Sequence, residues 1–91
     1  MIARRLIISG RVQGVFYRNW TIANARGMGL AGWVRNLQNG DVEIYAMGDE
    51  QSVEALILSC WKGPPAAEVR QVTVSQAEPE PLQGFTKRPS G

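Results

Sequence analysis

A glycine-containing segment near the N-terminus combines groups that bind anions. Residues 10–18 read GRVQGVFYR and lie between a predicted strand and a predicted helix. Backbone N–H groups point outward at such a junction, and the helix dipole favours a negative charge there. Gly14 permits the backbone to curl around an anion, and Arg18 in the first helical turn adds a charged fork that suits phosphate. These residues predict an anion site, although an ordinary tight turn beside a solvated arginine fits them too.

The composition limits the chemistry available to such a site. The 91 residues include no histidine and one cysteine, Cys60. Catalysis by imidazole, an intramolecular disulfide and a metal site built from paired thiols are therefore excluded. The segment also lacks the GxGxxG and Walker A motifs of nucleotide-binding loops. We expect neither a metal nor a cofactor.

Other residues with chemical potential fit structural roles better. Trp20, Trp33 and Trp61 lie in helical or strand patterns that favour burial over base stacking, and no RNA-binding motif accompanies them. Asp49 suits a helix N-cap, and Glu43 suits a solvated rim better than a general base. The net charge of +2 does not demand a nucleic-acid partner, and we expect none.

Hydrophobic periodicity and turn residues predict five strands and two helices. The first helix begins at Arg18 or Asn19 and ends at Gly27, with Trp20, Ala23 and Met28 on one face and Ile22 and Ala25 beside them. The strands are predicted at residues 4–9, 32–37, 41–46, 69–76 and 84–88, and the second helix lies between Asp49 and Gly63. Its apolar residues recur at helical spacing and are Val53, Leu56, Ile57, Cys60 and Trp61. Cys60 is therefore predicted to be a core thiol.

An Asn-Gly pair at residues 39–40 predicts a β-hairpin between the second and third strands. A two-residue turn places Leu37 opposite Val42, with Asn36 and Glu43 on the same face of the sheet. A longer loop shifts this register.

The element order predicts an α+β fold. The order β-α-β-β-α-β with a short fifth strand indicates a ferredoxin-like split βαβ sandwich, an antiparallel sheet with two helices on one face. Residues 1–91 make a single domain whose tail, residues 89–91, is expected to fray. Three consecutive apolar residues near the N-terminus are too few for a signal peptide or a membrane span. We expect a cytoplasmic monomer without a membrane partner.

Two motifs in the chain resemble those of the acylphosphatase family. Residues 10–18 are similar to the family's glycine-x-valine-glutamine-glycine-valine loop, which ends in arginine. Residues 29–36, GLAGWVRN, are similar to its second signature, glycine-leucine-x-glycine-tryptophan-valine-x-asparagine. Residues 39–43, Gly48 and residues 63–65 also sit at family-like places, so the resemblance extends from residue 10 to about residue 74.

The resemblance implies hydrolysis of the carboxyl-phosphate bond of acylphosphates to a carboxylate and inorganic phosphate, without metal or cofactor. It implies that Arg18 and five backbone amides bind the phosphate and that Asn36 holds the attacking water. The amides are those of Gln13, Gly14, Val15, Phe16 and Tyr17. A side-chain amide cannot act as a base, so Asn36 can only orient the water. The proton of the water then passes to the substrate's own phosphate or to solvent.

The alternative function is that of a binding or regulatory domain of the same fold, which keeps a phosphate or carbamoyl-phosphate pocket. The acylphosphatase-like domain at the start of a hydrogenase-maturation carbamoyltransferase is an example. Turnover of an acylphosphate separates the two functions, because only the enzyme releases phosphate.

Three positions depart from the pattern of the resembled family. Asn39 replaces a frequent aspartate before the hairpin glycine, and both residue types suit the turn. Tyr17 stands where a phenylalanine is common, and its hydroxyl needs a hydrogen-bond partner. Lys87 stands where the last strand usually has an apolar residue. We therefore assign no functional contact to the C-terminal segment.

Overall fold

The secondary-structure elements follow the predicted order along the chain. The computed structural model describes residues 1–91 and contains five strands and two helices. The strands are β1 (Ile2–Arg11), β2 (Ala31–Asn36), β3 (Val42–Gly48), β4 (Glu68–Ala77) and β5 (Phe85–Lys87), and the helices are α1 (Tyr17–Gly27) and α2 (Glu50–Lys62). All five strands belong to one sheet, in the order β4-β1-β3-β2-β5. No helix has the length and apolar composition needed to cross a membrane.

The sheet is mixed rather than fully antiparallel. β1, β2, β3 and β4 pair antiparallel, as the ferredoxin-like fold predicts, whereas β5 runs parallel to β2. Residues 78–84 cross from one edge of the sheet to the opposite edge at the end where β4 stops. β5 therefore runs in the direction opposite to β4, which is the direction of β2. The predicted antiparallel sheet is therefore wrong for β5 alone.

Both helices pack on one face of the sheet and bury its central strands. Leu6 and Ile44 are fully buried in the same cluster as Leu56 and Cys60 of α2. Burial of such apolar side chains contributes about 1.5–3 kcal/mol each, so this layer provides most of the hydrophobic stabilisation. The prediction that Cys60 is a core thiol is confirmed, whereas Trp61 is 46% exposed and not part of the core.

The N-terminus of α2 is capped as predicted. The Asp49 carboxylate accepts a hydrogen bond of 3.3 Å from the Ser52 backbone N–H. This bond satisfies one of the first-turn donors, which have no partner inside the helix. Asp49 therefore has a structural role.

The buried face of α1 matches the predicted one in part. Its buried residues are Tyr17, Thr21 and Ala25, and Trp20, Ile22 and Met28 are half-buried against the core, whereas Ala23 is exposed. The helix begins at Tyr17, and the Tyr17 hydroxyl donates a 2.6 Å hydrogen bond to the Cys60 carbonyl oxygen. This bond supplies the partner that the tyrosine requires and joins α1 to the end of α2.

The hairpin between β2 and β3 forms with a register one residue away from the predicted one. Val42 pairs with Asn36 rather than Leu37. The Leu37 N–H donates instead to the Asp41 carbonyl oxygen at 2.8 Å, which closes a loop longer than a two-residue turn. Because a slip of one residue exchanges the faces of a strand, Asn36 lies on the helix-covered face and Glu43 on the opposite face. The prediction that these two residues share a face is wrong.

The face of the sheet without helices holds a buried carboxylate between two arginines. Glu43 is 2% exposed and accepts hydrogen bonds from Arg5 and, at 2.6 Å, from Arg35 Nε. Burial raises the pKa of Glu43, but the hydrogen bonds from Arg35 and Arg5 outweigh this effect and hold the pKa below its ordinary value. Glu43 is therefore a buried ion-pair partner and not the solvated rim charge that we predicted.

Acid should destabilise the fold through Glu43. Because its pKa is lower in the folded chain than in the unfolded one, its stabilising effect is present above the ordinary pKa of 4.5 and is lost as the pH falls through the folded-state pKa. Glu43→Gln should remove this part of the acid sensitivity. It should also lower the free energy of unfolding at neutral pH by about 1.5 kcal/mol, a modest loss because both arginines reach solvent. Urea unfolding at neutral and acidic pH measures both effects.

Glu68→Gln is the matched control for this variant. Glu68 pairs with Arg11 at 3.0 Å, and both side chains are exposed, so the pair is expected to contribute little. Equal losses of stability in the two variants would contradict the role assigned to Glu43.

Candidate active site

The loop between β1 and α1 presents backbone donors without partners. Gly14 and Phe16 have φ angles of 74° and 68°, in the left-handed region. Glycine adopts this conformation freely, whereas Phe16 adopts it at an energetic cost that is typical of functional sites. None of the N–H groups of residues 13–16 donates a hydrogen bond within the protein. The loop is therefore a curved run of backbone amides with unused hydrogen-bonding capacity.

The N-terminus of α1 continues this set of donors. Phe16 is its N-cap and makes no side-chain hydrogen bond, and no acidic residue lies in the first turn. The first hydrogen bond along the helix runs from the Trp20 N–H to the Phe16 carbonyl oxygen at 3.0 Å. The N–H groups of residues 17–19 precede it and have no acceptor inside the helix. Such an uncapped N-terminus carries partial positive charge and attracts anions.

The loop and the start of α1 enclose a cavity together with β2 and β5. The cavity has a volume of about 280 Å³. It is lined by Val12, Gly14, Phe16, Tyr17, Arg18, Asn19, Asn36 and Lys87. No carboxylate is among these residues, and neither Arg18 nor Lys87 takes part in an ion pair. The cavity therefore has two uncompensated cations and suits a negatively charged ligand.

The two side chains for which the family resemblance implies roles in hydrolysis both line this cavity. Arg18 lies in the first turn of α1, and Asn36 is the last residue of β2. The Asn36 Oδ1 atom is buried and accepts no hydrogen bond. An unsatisfied buried acceptor is costly, and the structure of the chain alone does not require the amide at this position.

The five residues named for their backbone amides lie in the loop or at the start of α1, but they differ in placement. Gly14, Phe16 and Tyr17 line the cavity, although the Tyr17 side chain is buried in the core, as is that of Val15. The Gln13 side chain turns to the β2–β3 hairpin instead. Its Nε2 donates 2.8 Å hydrogen bonds to the carbonyl oxygens of Leu37 and Asp41. Gln13 thereby ties the loop to the hairpin that carries Asn36, a role absent from the sequence analysis because it depends on the hairpin loop.

Sequence reasoning missed two polar residues of the cavity, Asn19 and Lys87. Lys87 lies on β5, which pairs with β2 so that Lys87 is opposite Val34. The C-terminal segment, to which we assigned no functional contact, thus supplies a cation to the cavity. A lysine in place of an apolar strand residue was the available signal, but only the parallel pairing gives its position.

The residues after β5 continue along β2. The Gly91 N–H donates to the Asn36 carbonyl oxygen at 2.9 Å, and the Gln38 N–H donates to the Gly91 carbonyl oxygen at 3.1 Å. The tail that was expected to fray is hydrogen-bonded in the structure. The backbone of Asn36 is therefore held on its β5 side as well as by β3.

Structural comparison defines the class of protein to which this fold and cavity belong. The crystal structure of an acylphosphatase from Bacillus subtilis matches with a TM-score of 0.94 and 34% sequence identity, over 97% of this chain and 99% of that one. This chain therefore has the ferredoxin-like α+β fold of a small hydrolase. The acylphosphatase family model matches residues 4–87, and an acylphosphatase of Acidiphilium cryptum is 48% identical over the full length of both chains. The chain belongs to the acylphosphatase family, whose members hydrolyse small acylphosphates.

A second kind of structure shares the fold within a longer chain. Full-length HypF in a phosphate- and nucleotide-bound form matches with a TM-score of 0.91 and 30% identity, over 98% of this chain but 12% of that chain. The acylphosphatase of Acidiphilium cryptum, in contrast, matches from end to end. Of the two functions considered from the sequence, the relatives therefore support the enzyme.

Gln13→Met should weaken the link between the loop and the hairpin while preserving the length of the side chain. We expect the free energy of unfolding to fall by about 1–2 kcal/mol, because two hydrogen bonds are lost. We also expect kcat/KM for an acylphosphate to fall about 10-fold, because the loop is no longer held in place relative to Asn36. Chemical unfolding and steady-state kinetics measure the two effects.

Gln38→Met provides the control, because the Gln38 side chain is exposed on the same hairpin and makes no hydrogen bond. If Gln13→Met lowered stability but left kcat/KM unchanged, Gln13 would not position the loop.

Proposed function

We propose that this chain hydrolyses the carboxyl-phosphate bond of acylphosphates by binding the phosphate and orienting one water molecule, without a metal, a cofactor or a protein base. The observation that carries the proposal is that Arg18, Asn36 and two residues of the loop with unpaired amides, Gly14 and Phe16, line one cavity. The loop supplies positive charge and donors, and β2 supplies an amide side chain. Binding and positioning are therefore divided between two segments of the chain.

The phosphate group binds against the loop and the start of α1. The backbone N–H groups of residues 13–17 surround its oxygens, and the Arg18 guanidinium pairs with two of them. These donors are fixed before substrate arrives, because the curled loop and the helix hold them in place. They stabilise the charge on the phosphoryl oxygens during transfer without reorganisation.

Asn36 orients the attacking water. Asn36 lines the cavity, and its side-chain amide holds the water by a hydrogen bond so that the water oxygen faces the phosphorus atom. The water oxygen forms a bond to phosphorus as the bond between phosphorus and the acyl oxygen breaks, and the electron pair of that bond leaves with the carboxylate. The proton of the water goes to a phosphate oxygen or to solvent, since no residue of the cavity is a carboxylate or an imidazole.

This mechanism favours substrates with a good leaving group. A carboxylate leaves without protonation, so positioning and charge neutralisation suffice for an acylphosphate. An alkyl phosphate ester, in contrast, needs an acid to protonate its alkoxide, and neither a carboxylic acid nor an imidazolium lines the cavity. The cavity is therefore suited to acylphosphates and not to phosphate esters in general.

Release of phosphate from benzoyl phosphate by the purified protein, in the presence of a metal chelator, tests the proposal. We expect turnover of benzoyl phosphate and none of an alkyl phosphate under the same conditions. The absence of turnover above background would refute the proposed reaction, and activity that chelation abolishes would refute metal independence.

A further inference from the structure

The cavity contains one cation for which the proposed mechanism has no use, Lys87. It is exposed, it lines the cavity together with Arg18, and no carboxylate pairs with it. The ion pairs of the structure use other cations, those of Arg5, Arg11 and Arg35. Lys87 is therefore available to a ligand of the cavity.

The position of Lys87 is fixed by the anchoring of β5. The Gly32 N–H donates to the Gly84 carbonyl oxygen before Lys87, and the Arg88 N–H donates to the Val34 carbonyl oxygen after it, both at 2.9 Å. Phe85 is fully buried, which holds the strand from within the core. The backbone of Lys87 is thus held on both sides, and the lysine is a regular member of the sheet.

The alternation of the strand directs Lys87 and its neighbour to opposite faces. The guanidinium of Arg88 lies 4.6 Å from the centre of the Trp33 ring, on the face without helices. Lys87 therefore belongs to the helix-covered face, opposite Val34 and one side-chain position from Asn36 along that face. The ammonium group thus lies on the same side of the sheet as the loop and Arg18.

We propose that Lys87 is a second phosphate-binding cation of this site and selects the doubly charged form of the phosphate group. The inference rests on the proposed function in one respect, the placement of the phosphate in this cavity. A phosphate group with two negative charges is neutralised only in part by Arg18, because the backbone amides carry no net charge. A lysine ammonium binds phosphate as a point charge and supplies the second positive charge.

Calorimetric titration with inorganic phosphate tests this inference without requiring turnover. Measurements are made on either side of the second ionisation of phosphate. For Lys87→Met, which keeps the length of the side chain but not its charge, we expect affinity for the dianion to fall about 10-fold and the preference for the dianion over the monoanion to shrink. Lys87→Arg should retain both properties.

The matched control is Lys62→Met, which removes the same charge from the other lysine of the chain, at the end of α2. It should leave phosphate affinity unchanged. Unchanged affinity in Lys87→Met, or an equal loss for both ionic forms, would overturn the inference. The inference would also be overturned if Lys87→Met weakened the binding only of acylphosphates that carry a carboxylate on the acyl group. Lys87 would then contact the acyl group and not the phosphate.

The inference and the proposed function fail in distinguishable ways. Phosphate binding that depends on Lys87, in a protein that releases no phosphate from benzoyl phosphate, would refute the reaction and retain the binding role. Turnover that is insensitive to Lys87→Met, together with unchanged phosphate affinity, would refute the binding role of Lys87 and retain the reaction.

Discussion

Arg18→Gln should reduce kcat/KM for an acylphosphate by about 100-fold or more and should abolish inhibition by inorganic phosphate. The variant removes the cation that the proposed mechanism places against the phosphoryl oxygens, and loss of one such preorganised group typically costs about 3 kcal/mol of transition-state stabilisation. Ground state and transition state both carry this charge, so both affinity and rate should fall. Steady-state kinetics with phosphate as a competitive inhibitor measures the two effects together.

The fold should tolerate this change. Arg18 makes no ion pair and no hydrogen bond within the protein, so its replacement leaves no partner unsatisfied. Arg70→Gln is the matched control, because Arg70 lies exposed on β4 and the variant removes the same charge. Activity close to normal in Arg18→Gln would refute the assigned role, as would an equal loss in Arg70→Gln.

Asn36→Ala should lower kcat by about 100-fold while leaving phosphate affinity nearly unchanged. Its proposed partner is the attacking water rather than the phosphate, and misplacing a reacting group by about 1 Å can cost this much in rate. Phosphate binding at the loop and Arg18 is not altered by the change. Comparison of kcat with the inhibition constant for phosphate separates the two effects.

Asn36→Ala should not lower the free energy of unfolding. Because Asn36 Oδ1 is buried without a donor, removal of the side-chain amide eliminates an unsatisfied polar group, and the variant should be no less stable than the parent chain. Asn24→Ala is the contrasting control, because the Asn24 amide donates a 2.8 Å hydrogen bond within α1 and lies outside the cavity. A parallel loss of phosphate affinity and rate in Asn36→Ala would make Asn36 a ligand of the substrate instead of the water.

The parts of the site that could be predicted from sequence are those with local causes. Gly14 and Arg18 belong to one short segment between a strand and a helix, where backbone geometry and the helix dipole specify an anion site. Asp49 caps α2 through a bond to a residue three positions away. The pairing of Asn36 with this loop came from the family resemblance, because no local pattern joins the two segments.

The hairpin register could not be predicted because it depends on a loop and not on a pattern. Asn39 and Gly40 favour a turn, but the bond from Leu37 to Asp41 decides its length and so shifts every pair by one residue. Glu43 therefore lies on the face of the sheet opposite to that of Asn36, where it is enclosed by Arg5 and Arg35. The burial of a carboxylate has no signal in a single sequence, since its partners come from neighbouring strands.

The position of Lys87 in the cavity could not be predicted, because it depends on how β5 pairs within the sheet. β5 has three residues, too few for a pattern of alternation, and it pairs with β2 across the width of the sheet from β4. Nothing in the local sequence indicates whether such a strand is parallel or antiparallel. The position of a cation in the cavity thus depends on the least patterned strand of the fold.

The placement of β5 and of the residues after it also has a consequence for how activity arises during folding. The cavity is built from the turn after the first strand, the end of the second and the last strand, so the contacts that complete it join distant parts of the chain. Such contacts form slowly, because the entropy of closing long loops must be overcome before they contribute. A nascent chain that has not yet extended to β5 lacks one wall of the cavity, however much of its core has collapsed. Recovery of hydrolysis after dilution from denaturant should therefore report the final step of folding rather than its first.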